Sequence, residues 1–355
     1  MKNVFLIKTP LQLLNAVEAM YQFNLCKQDC VLIVMSDRKS QHQTLKLVES
    51  MDEWSDVFVL NELSLFFNGD RKDSFMSKVW KSKLFSKSFF NVLRLNKLSQ
   101  YLVEVDYMFL GHARYVYMSH FMNVTPHKHV YLLDDGNATI RLAKERSVGL
   151  EFVVAIGISK KLKFLAKQYL QGIKSKDAAH LGFFTIYDIP VSSRDHVVKN
   201  SYQHIRASLV SSEITNTVYF IGSPLSETGL IDQESYFEHL GRVREFFRDT
   251  AMVYVSHRRE RREKLKIIED IMGIKVVMFD YPIEYQLAVV GPRPNILASF
   301  FSSALDSCRL IFGKQLKVVS FKLDFEDSPH KEVIESVYKN YEMIENHNFS
   351  VEKNY

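Results

Sequence analysis

Cysteine is scarce: Cys26, Cys30 and Cys308 are the only three in 355 residues. Cys26 and Cys30 have no second ligand pair to complete a zinc site, so a reduced, cytosolic chain is the expectation. Long apolar runs are missing too. None approaches the roughly 20 residues of a membrane span, and the opening run Val4-Phe5-Leu6-Ile7 is too short for a signal peptide. The expected location is therefore the cytoplasm. The chain also lacks an internal repeat, a low-complexity tract, a G-x-G-x-x-G and a P-loop, which removes the familiar dinucleotide and NTP fingerprints.

What is present suits two cores. The chain is 46% hydrophobic, and single cores stop growing near roughly 250–300 residues. Its net charge of +5 is modest and its basic residues are dispersed, so nucleic acid is not the default partner.

Short apolar runs alternate with helical patterns. Val4 to Ile7 reads as a buried strand closed by Thr9-Pro10, after which Leu11, Leu14, Ala16, Val17 and Met20 fall on helical spacing. Strands are expected again at 31–35, 57–60, 107–110 and 129–133, with a helix at 41–51. Past a looser stretch containing a lysine-rich helix at 160–169, a second series begins. It has strands at 218–221, 252–255, 275–279, 295–298 and 316–319 and helices at 234–248, 260–271, 283–289 and 303–306. This alternation predicts the α/β class, with two Rossmann-like doubly wound domains facing across a cleft. The expected boundaries are 1–205 and 206–325, followed by a helix and tail over 326–355 that could cross back to the first domain.

Residues 76–103 differ in character. Lys78, Lys81, Lys83, Lys87, Arg94 and Lys97 interleave with Val79, Trp80, Leu84, Phe85, Phe89, Phe90, Val92, Leu93 and Leu95. Such a stretch can lie on an anionic membrane surface, at the inner face of the membrane here, or pack its apolar side on the sheet with its lysines solvated.

The chemistry-bearing residues sit just after apolar runs, where open parallel sheets bind ligands. Leu132-Leu133 leads into Asp134-Asp135-Gly136, where a carboxylate could deprotonate a hydroxyl and one of the two could instead cap the helix that follows. Val255-Ser256 leads into His257, ahead of Arg258, Arg259, Arg261 and Arg262. Ser299-Phe300-Phe301 leads into Ser302-Ser303, which are either helix caps or part of a phosphate site at a helix N-terminus.

The order acidic-acidic-Gly, His, Ser-Ser resembles the bacterial sialyltransferases of GT-B type, the lipooligosaccharide sialyltransferases and polysialyltransferases. The match is Asp134-Asp135-Gly136, His257, Glu284 in Tyr281-Pro282-Ile283-Glu284, and Ser302-Ser303. Lys8-Thr9-Pro10-Leu11-Gln12 is similar to the first loop of such enzymes, and Gly222-Ser223-Pro224 to the loop opening their nucleotide domain. The resemblance touches most of the chain in short motifs only, and His257 is followed by Arg258 where the family has proline.

The resemblance implies inverting transfer of sialic acid from CMP-N-acetylneuraminate to a hydroxyl of a cell-surface glycan, as in lipopolysaccharide or capsule biosynthesis. Asp134 or Asp135 would be the base. Gly222, Ser223, Pro224, His257, Glu284, Ser302 and Ser303 would hold the nucleotide, with His257 also catalytic and Glu284 on the ribose. Thr9, Gln12, His112 and Arg141, with Arg114 beside them, would meet the acceptor. No metal and no cofactor beyond the CMP-sugar donor are implied. The alternatives are another CMP-sugar such as CMP-Kdo, a UDP-sugar, or a sugar-nucleotide epimerase. A non-enzymatic alternative makes the cluster Arg258 to Lys264 a nucleic-acid contact. Acceptor, linkage, polymerisation and oligomeric state are left open.

Overall fold

The computed structural model describes every residue except Asp37, 61–86, 150–168, 170, 210–212, 324–330, 345 and 346. The chain divides into two compact units, Met1–Asn200 and Ser201–Tyr355. The first contains β1 (Lys2–Ile7), β2 (Cys30–Val34), β3 (Asp56–Val59), β4 (Val105–Leu110), β5 (His127–Leu133), β6 (Gly182–Thr185) and β7 (His196–Lys199). Their order is β3-β2-β1-β4-β5-β6-β7, and every described pairing is parallel. β2 is buried throughout and β1 is buried from Asn3 onward, as expected of strands covered on both faces; β3, at the edge, alternates.

The second unit contains β8 (Ile214–Ile221), β9 (Ala251–Val255), β10 (Lys275–Val277), β11 (Arg293–Ser299), β12 (Lys317–Phe321) and β13 (Phe349–Glu352), ordered β10-β9-β8-β11-β12-β13 and again parallel. Each unit is thus a Rossmann-like sheet in which the chain starts at the middle, winds to one edge and returns to the other side of the first strand.

The first unit's described helices are α1 (Pro10–Gln22), α2 (Arg38–Met51), α3 (Lys87–Leu102), α4 (Val116–Val124) and α5 (Asn137–Ser147). Thr9 caps α1, its Oγ1 accepting from Gln12 N at 3.3 Å, and Pro10 occupies the first turn, where its missing N–H costs nothing. α3 buries Leu95, Leu98 and Leu102 in the core and exposes Arg94 and Lys97, so this part of the basic stretch packs on the unit with its cations solvated. Residues 76–86 and the helix expected at 160–169, Tyr169 apart, lie outside the described residues.

In the second unit follow α6 (Gln203–Ala207), α7 (Gln233–Phe246), α8 (Arg262–Lys266, continued by a π-turn Ile267–Ile271), α9 (Ile283–Tyr285, continued by Gln286–Val290), α10 (Ser303–Phe312) and α11 (Lys331–Glu342). β13 pairs with β12 in the register Val318↔Phe349, and Tyr338 of α11 donates its hydroxyl to Phe321 O at 2.9 Å. The last elements therefore complete the second sheet.

Candidate functional site

Both sheets reverse strand order once, between β1 and β4 in the first unit and between β8 and β11 in the second, and ligands of such sheets bind outside the carboxyl ends at that point. The candidate loops follow these strands or the strands beside them, β5 and β9.

In the first unit the loop after β1 carries Lys8 and Thr9, the loop after β4 carries Gly111 and His112, and the loop after β5 carries the acidic pair. The two aspartates have different fates. Asp134 is 3% exposed, and its carboxylate accepts from Gly136 N at 2.9 Å, Thr185 Oγ1 at 2.8 Å and Ile186 N at 3.2 Å. Burial pushes its pKa up, against the pull of those hydrogen bonds. Its carbonyl accepts from buried Asn15 Nδ2 at 2.9 Å. Asp134 thus ties β5 to β6 and α1. It does not occupy the helix cap, because Gly136 stands there at φ 63°, a conformation that favours glycine.

Asp135 is half-buried and lines a narrow pocket with His112, Arg114, Thr139, Arg141 and Glu145. Its N–H donates to Thr139 Oγ1 at 2.8 Å, which fixes the backbone behind the carboxylate. Burial, and then the Lys8 charge, lowers the pKa of His112. Arg114 is hydrogen-bonded to Glu145, while Arg141 is mostly exposed. The first loop differs from its expected role. Gln12 is buried, its Oε1 accepts from Lys8 N at 2.7 Å, and the same side chain fills the space a Cβ on Gly111 would need. Thr9 is occupied as the α1 cap. Both shape the loop from within.

In the second unit Gly222-Ser223-Pro224 follows β8 and Ser302-Ser303 follows β11. Ser299 Oγ donates to Ile221 O at 2.9 Å and Ser223 Oγ to Phe301 O at 3.4 Å, so the two loops are stitched side by side. Ser302 is the α10 cap: its Oγ accepts from Ala304 N at 3.3 Å, and Tyr341 OH engages both its N–H and its carbonyl. Ser303 opens the helix, half-buried, and its hydroxyl has no hydrogen-bond partner among the described residues. That hydroxyl and the Ser303 N–H, the first-turn donor that the Ser302 cap leaves over, suit an oxyanion.

His257 follows β9. Its Nδ1 accepts from Arg259 N at 3.2 Å, and burial together with Arg258 and Arg259 pushes its pKa down to about 4. The network therefore assigns the ring proton to Nε2, making a neutral donor. Glu284, in the first turn of α9, is 4% exposed, and its Oε1 accepts from Ser307 Oγ of α10 at 2.6 Å, joining α9 to α10 inside the unit. Burial raises its pKa.

The residues missed from the sequence are Glu260 and Lys264. Lys264 is fully buried and pairs with Glu260 at 2.8 Å and Glu227 at 3.5 Å, so the basic run is no uniform surface for nucleic acid. The signal was the carboxylate four residues before a lysine, just ahead of the helix that carries the lysine. This buried group also dictates Gly222, where a Cβ would meet Glu260 Oε2 and Tyr254 OH, each at 2.5 Å. Gly222→Ala is expected to cost about 1–3 kcal/mol by overpacking, read as a lowered urea midpoint. An unchanged midpoint would show that Glu260 moves aside freely.

Among the described residues no group of three or more His, Cys, Asp or Glu side chains is arranged to hold a metal ion. No protein-family model matches the chain, and no curated protein sequence matches it. Solved structures do overlap it. A UDP-GlcNAc 2-epimerase from Methanocaldococcus jannaschii has a TM-score of 0.49 at 9% identity, over 99% of this chain and 88% of that one. A UDP-GlcNAc 2-epimerase from Neisseria meningitidis bound to UDP-GlcNAc has a TM-score of 0.49 at 11% identity, over 97% and 92%. Acinetobacter baumannii MurG has a TM-score of 0.38 at 10% identity, over 99% and 86%. At such distances the substrate of this chain rests on its own residues.

Proposed function

We propose that the protein is an inverting glycosyltransferase of GT-B type that moves sialic acid from CMP-N-acetylneuraminate to a hydroxyl of a cell-surface glycan. The observation that carries this reading is the division of labour in the acidic pair: three donors consume the Asp134 carboxylate, while Asp135 lines the pocket. That is the arrangement a positioned general base requires.

In this reading the acceptor oxygen attacks the anomeric carbon, the bond from that carbon to the phosphate oxygen breaks, and CMP departs with the bonding pair. Asp135 takes the acceptor proton. The second unit holds the nucleotide, with His257 Nε2–H and the Ser303 hydroxyl and N–H donating to the phosphate oxygens as charge develops. Protein donors then do the work of a bridging cation. His112 and Arg141, on the rim of the Asp135 pocket, would meet the acceptor.

Calorimetric titration with CMP, UDP and GDP in chelator tests the donor class. Selective CMP binding supports the reading and justifies assays with CMP-sialic acid and CMP-Kdo. Selective UDP binding overturns it in favour of a UDP-sugar enzyme. The epimerases among the overlapping structures make UDP-GlcNAc, with product analysis, the substrate to try in that case.

No described helix is long and apolar enough to cross a membrane, and the place of action proposed is the membrane surface. The α3 helix exposes Leu93, Arg94, Lys97 and Tyr101, and Val103 beyond it is 72% exposed at φ 60°, a conformation costly for a β-branched residue. Cations beside exposed apolar side chains suit anionic lipid. Val103→Gly is expected to stabilise the fold by about 1 kcal/mol through relief of that strain. It should also lower sedimentation with phosphatidylglycerol vesicles, as should Arg94→Gln with Lys97→Gln. Equal sedimentation of all variants would remove the membrane from the proposal.

A further inference from the structure

Beneath the second unit's candidate site lies a closed polar cluster that the mechanism above does not use. Its centre is the Glu260 carboxylate, whose side chain is 0% exposed. One oxygen, Oε1, accepts from Lys264 Nζ at 2.8 Å and from Tyr254 OH at 2.5 Å; the other, Oε2, accepts from the backbone N–H of His257 at 2.7 Å. Lys264 in turn donates to the carbonyl of Ser223 at 3.2 Å, lies 3.5 Å from Glu227 Oε2 and sits 3.5 Å over the Tyr236 ring. Tyr236 and Tyr254 join their hydroxyls at 2.6 Å. Glu227 Oε1 accepts from Arg261 N at 2.9 Å, which fastens the start of α8 to the loop after β8.

This cluster connects two loops of different strands. Through Glu260 it holds the main chain of His257, after β9; through Lys264 it holds the main chain of Ser223, after β8. A fully buried ion pair is seldom the most stable way to fill a core, because desolvation offsets much of its Coulomb attraction, and apolar side chains of equal volume often serve as well or better. What apolar side chains cannot do is grip a backbone N–H and a backbone carbonyl at fixed directions.

We propose that Lys264 and Glu260 are positioning residues for the nucleotide, setting the spacing between the His257 imidazole and the Gly222-Ser223 loop. The inference rests on the proposed function insofar as the ligand is a nucleotide phosphate. The pair touches no substrate. It acts through His257, whose Nε2–H must meet the phosphate from one side while the loop after β8 closes the other.

The test separates positioning from simple stability. Lys264→Met leaves the buried Glu260 without its cation, and Glu260→Gln leaves Lys264 with only Glu227, so each single variant is expected to lose stability. The double variant Lys264→Met/Glu260→Met removes both charges together with the groups that hold the two loops, and should regain much of the lost denaturation midpoint. Its CMP affinity, by calorimetry, should nevertheless stay at least tenfold below wild type, because neither loop is gripped as before. Wild-type affinity in a stable double variant would overturn the proposal.

A second measurement is independent of any nucleotide. The His257 amide proton, donated to Glu260 in the wild type, should exchange with solvent at least tenfold faster in the double variant, while amides in β9 such as that of Tyr254 keep their protection. If wild type binds none of CMP, UDP and GDP, the functional reading fails while this exchange result still decides whether the pair holds the His257 loop. Unchanged exchange at His257 would show that it does not.

Discussion

Asp135→Asn is expected to lower turnover by about 10²–10⁴-fold, the usual worth of a positioned general base, while leaving CMP affinity near wild type. The amide keeps the volume and removes the basic lone pairs, and the Asp135 N–H to Thr139 Oγ1 bond involves only the main chain. Asp134→Ala should lose stability first. It strips the carboxylate from Thr185 Oγ1, Ile186 N and Gly136 N at once, and since a buried donor left unpaired costs about 1–3 kcal/mol, a stability loss of about 3 kcal/mol or more is expected. Turnover per folded molecule would fall through displacement of the loop. Measuring kcat and urea midpoints on both variants distinguishes the roles. Full turnover in Asp135→Asn, or loss of turnover without loss of stability in Asp134→Ala, would reverse the assignment.

The acidic pair also shows how far the sequence could be read. Asp134-Asp135-Gly136 was legible as a loop after a strand, because Val130 to Leu133 are buried and apolar. The division of labour was not, because it depends on Thr185 and Ile186, 51 and 52 positions onward. Thr185 ends β6, which with β7 was missed altogether. Each is four residues long, and His196 and Lys199 give β7 polar ends, so neither presents an apolar run long enough to stand out. β13 was missed for the same reason, and with it the tail's place in the second sheet. The central strands were legible because burial on both faces forces continuous apolar sequence.

Glu284 and Gln12 show the converse failure. Each lies in the first turn of a helix, but a motif gives no side-chain direction, and Glu284 turns inward to Ser307 while Gln12 turns back to Lys8 N. Lys264 went unread because a lysine in a basic run looks solvated; only the convergence of Glu227, Glu260 and the Ser223 carbonyl lets it be buried.

His257→Ala carries the second large effect. Removing one preorganised donor to a developing oxyanion costs about 10²–10³-fold in kcat, and because the same Nε2–H would meet the ground-state phosphate, CMP affinity should fall as well. The neutral state of the ring matters to this expectation. With its pKa pushed to about 4 in the folded protein, against an ordinary value near 6.5, the imidazole keeps a single proton across the physiological range and offers it as a hydrogen bond. The same shift has a signature in stability. Between pH 6.5 and 4 the unfolded chain binds a proton at this residue that the folded chain does not, so the stability difference is fully present above pH 6.5 and is lost as the pH falls through that window. His120, also lowered to about 4 by burial and the Lys174 charge, contributes in the same direction. His257→Ala should therefore lose less stability than wild type between pH 7 and pH 4.5, measured by urea midpoints at both values. A variant that binds CMP and turns over as wild type does would take His257 out of the site, whatever its pH profile. One that keeps the wild-type pH profile but loses CMP would leave the phosphate contact standing and show that the ring ionises more easily than its burial suggests.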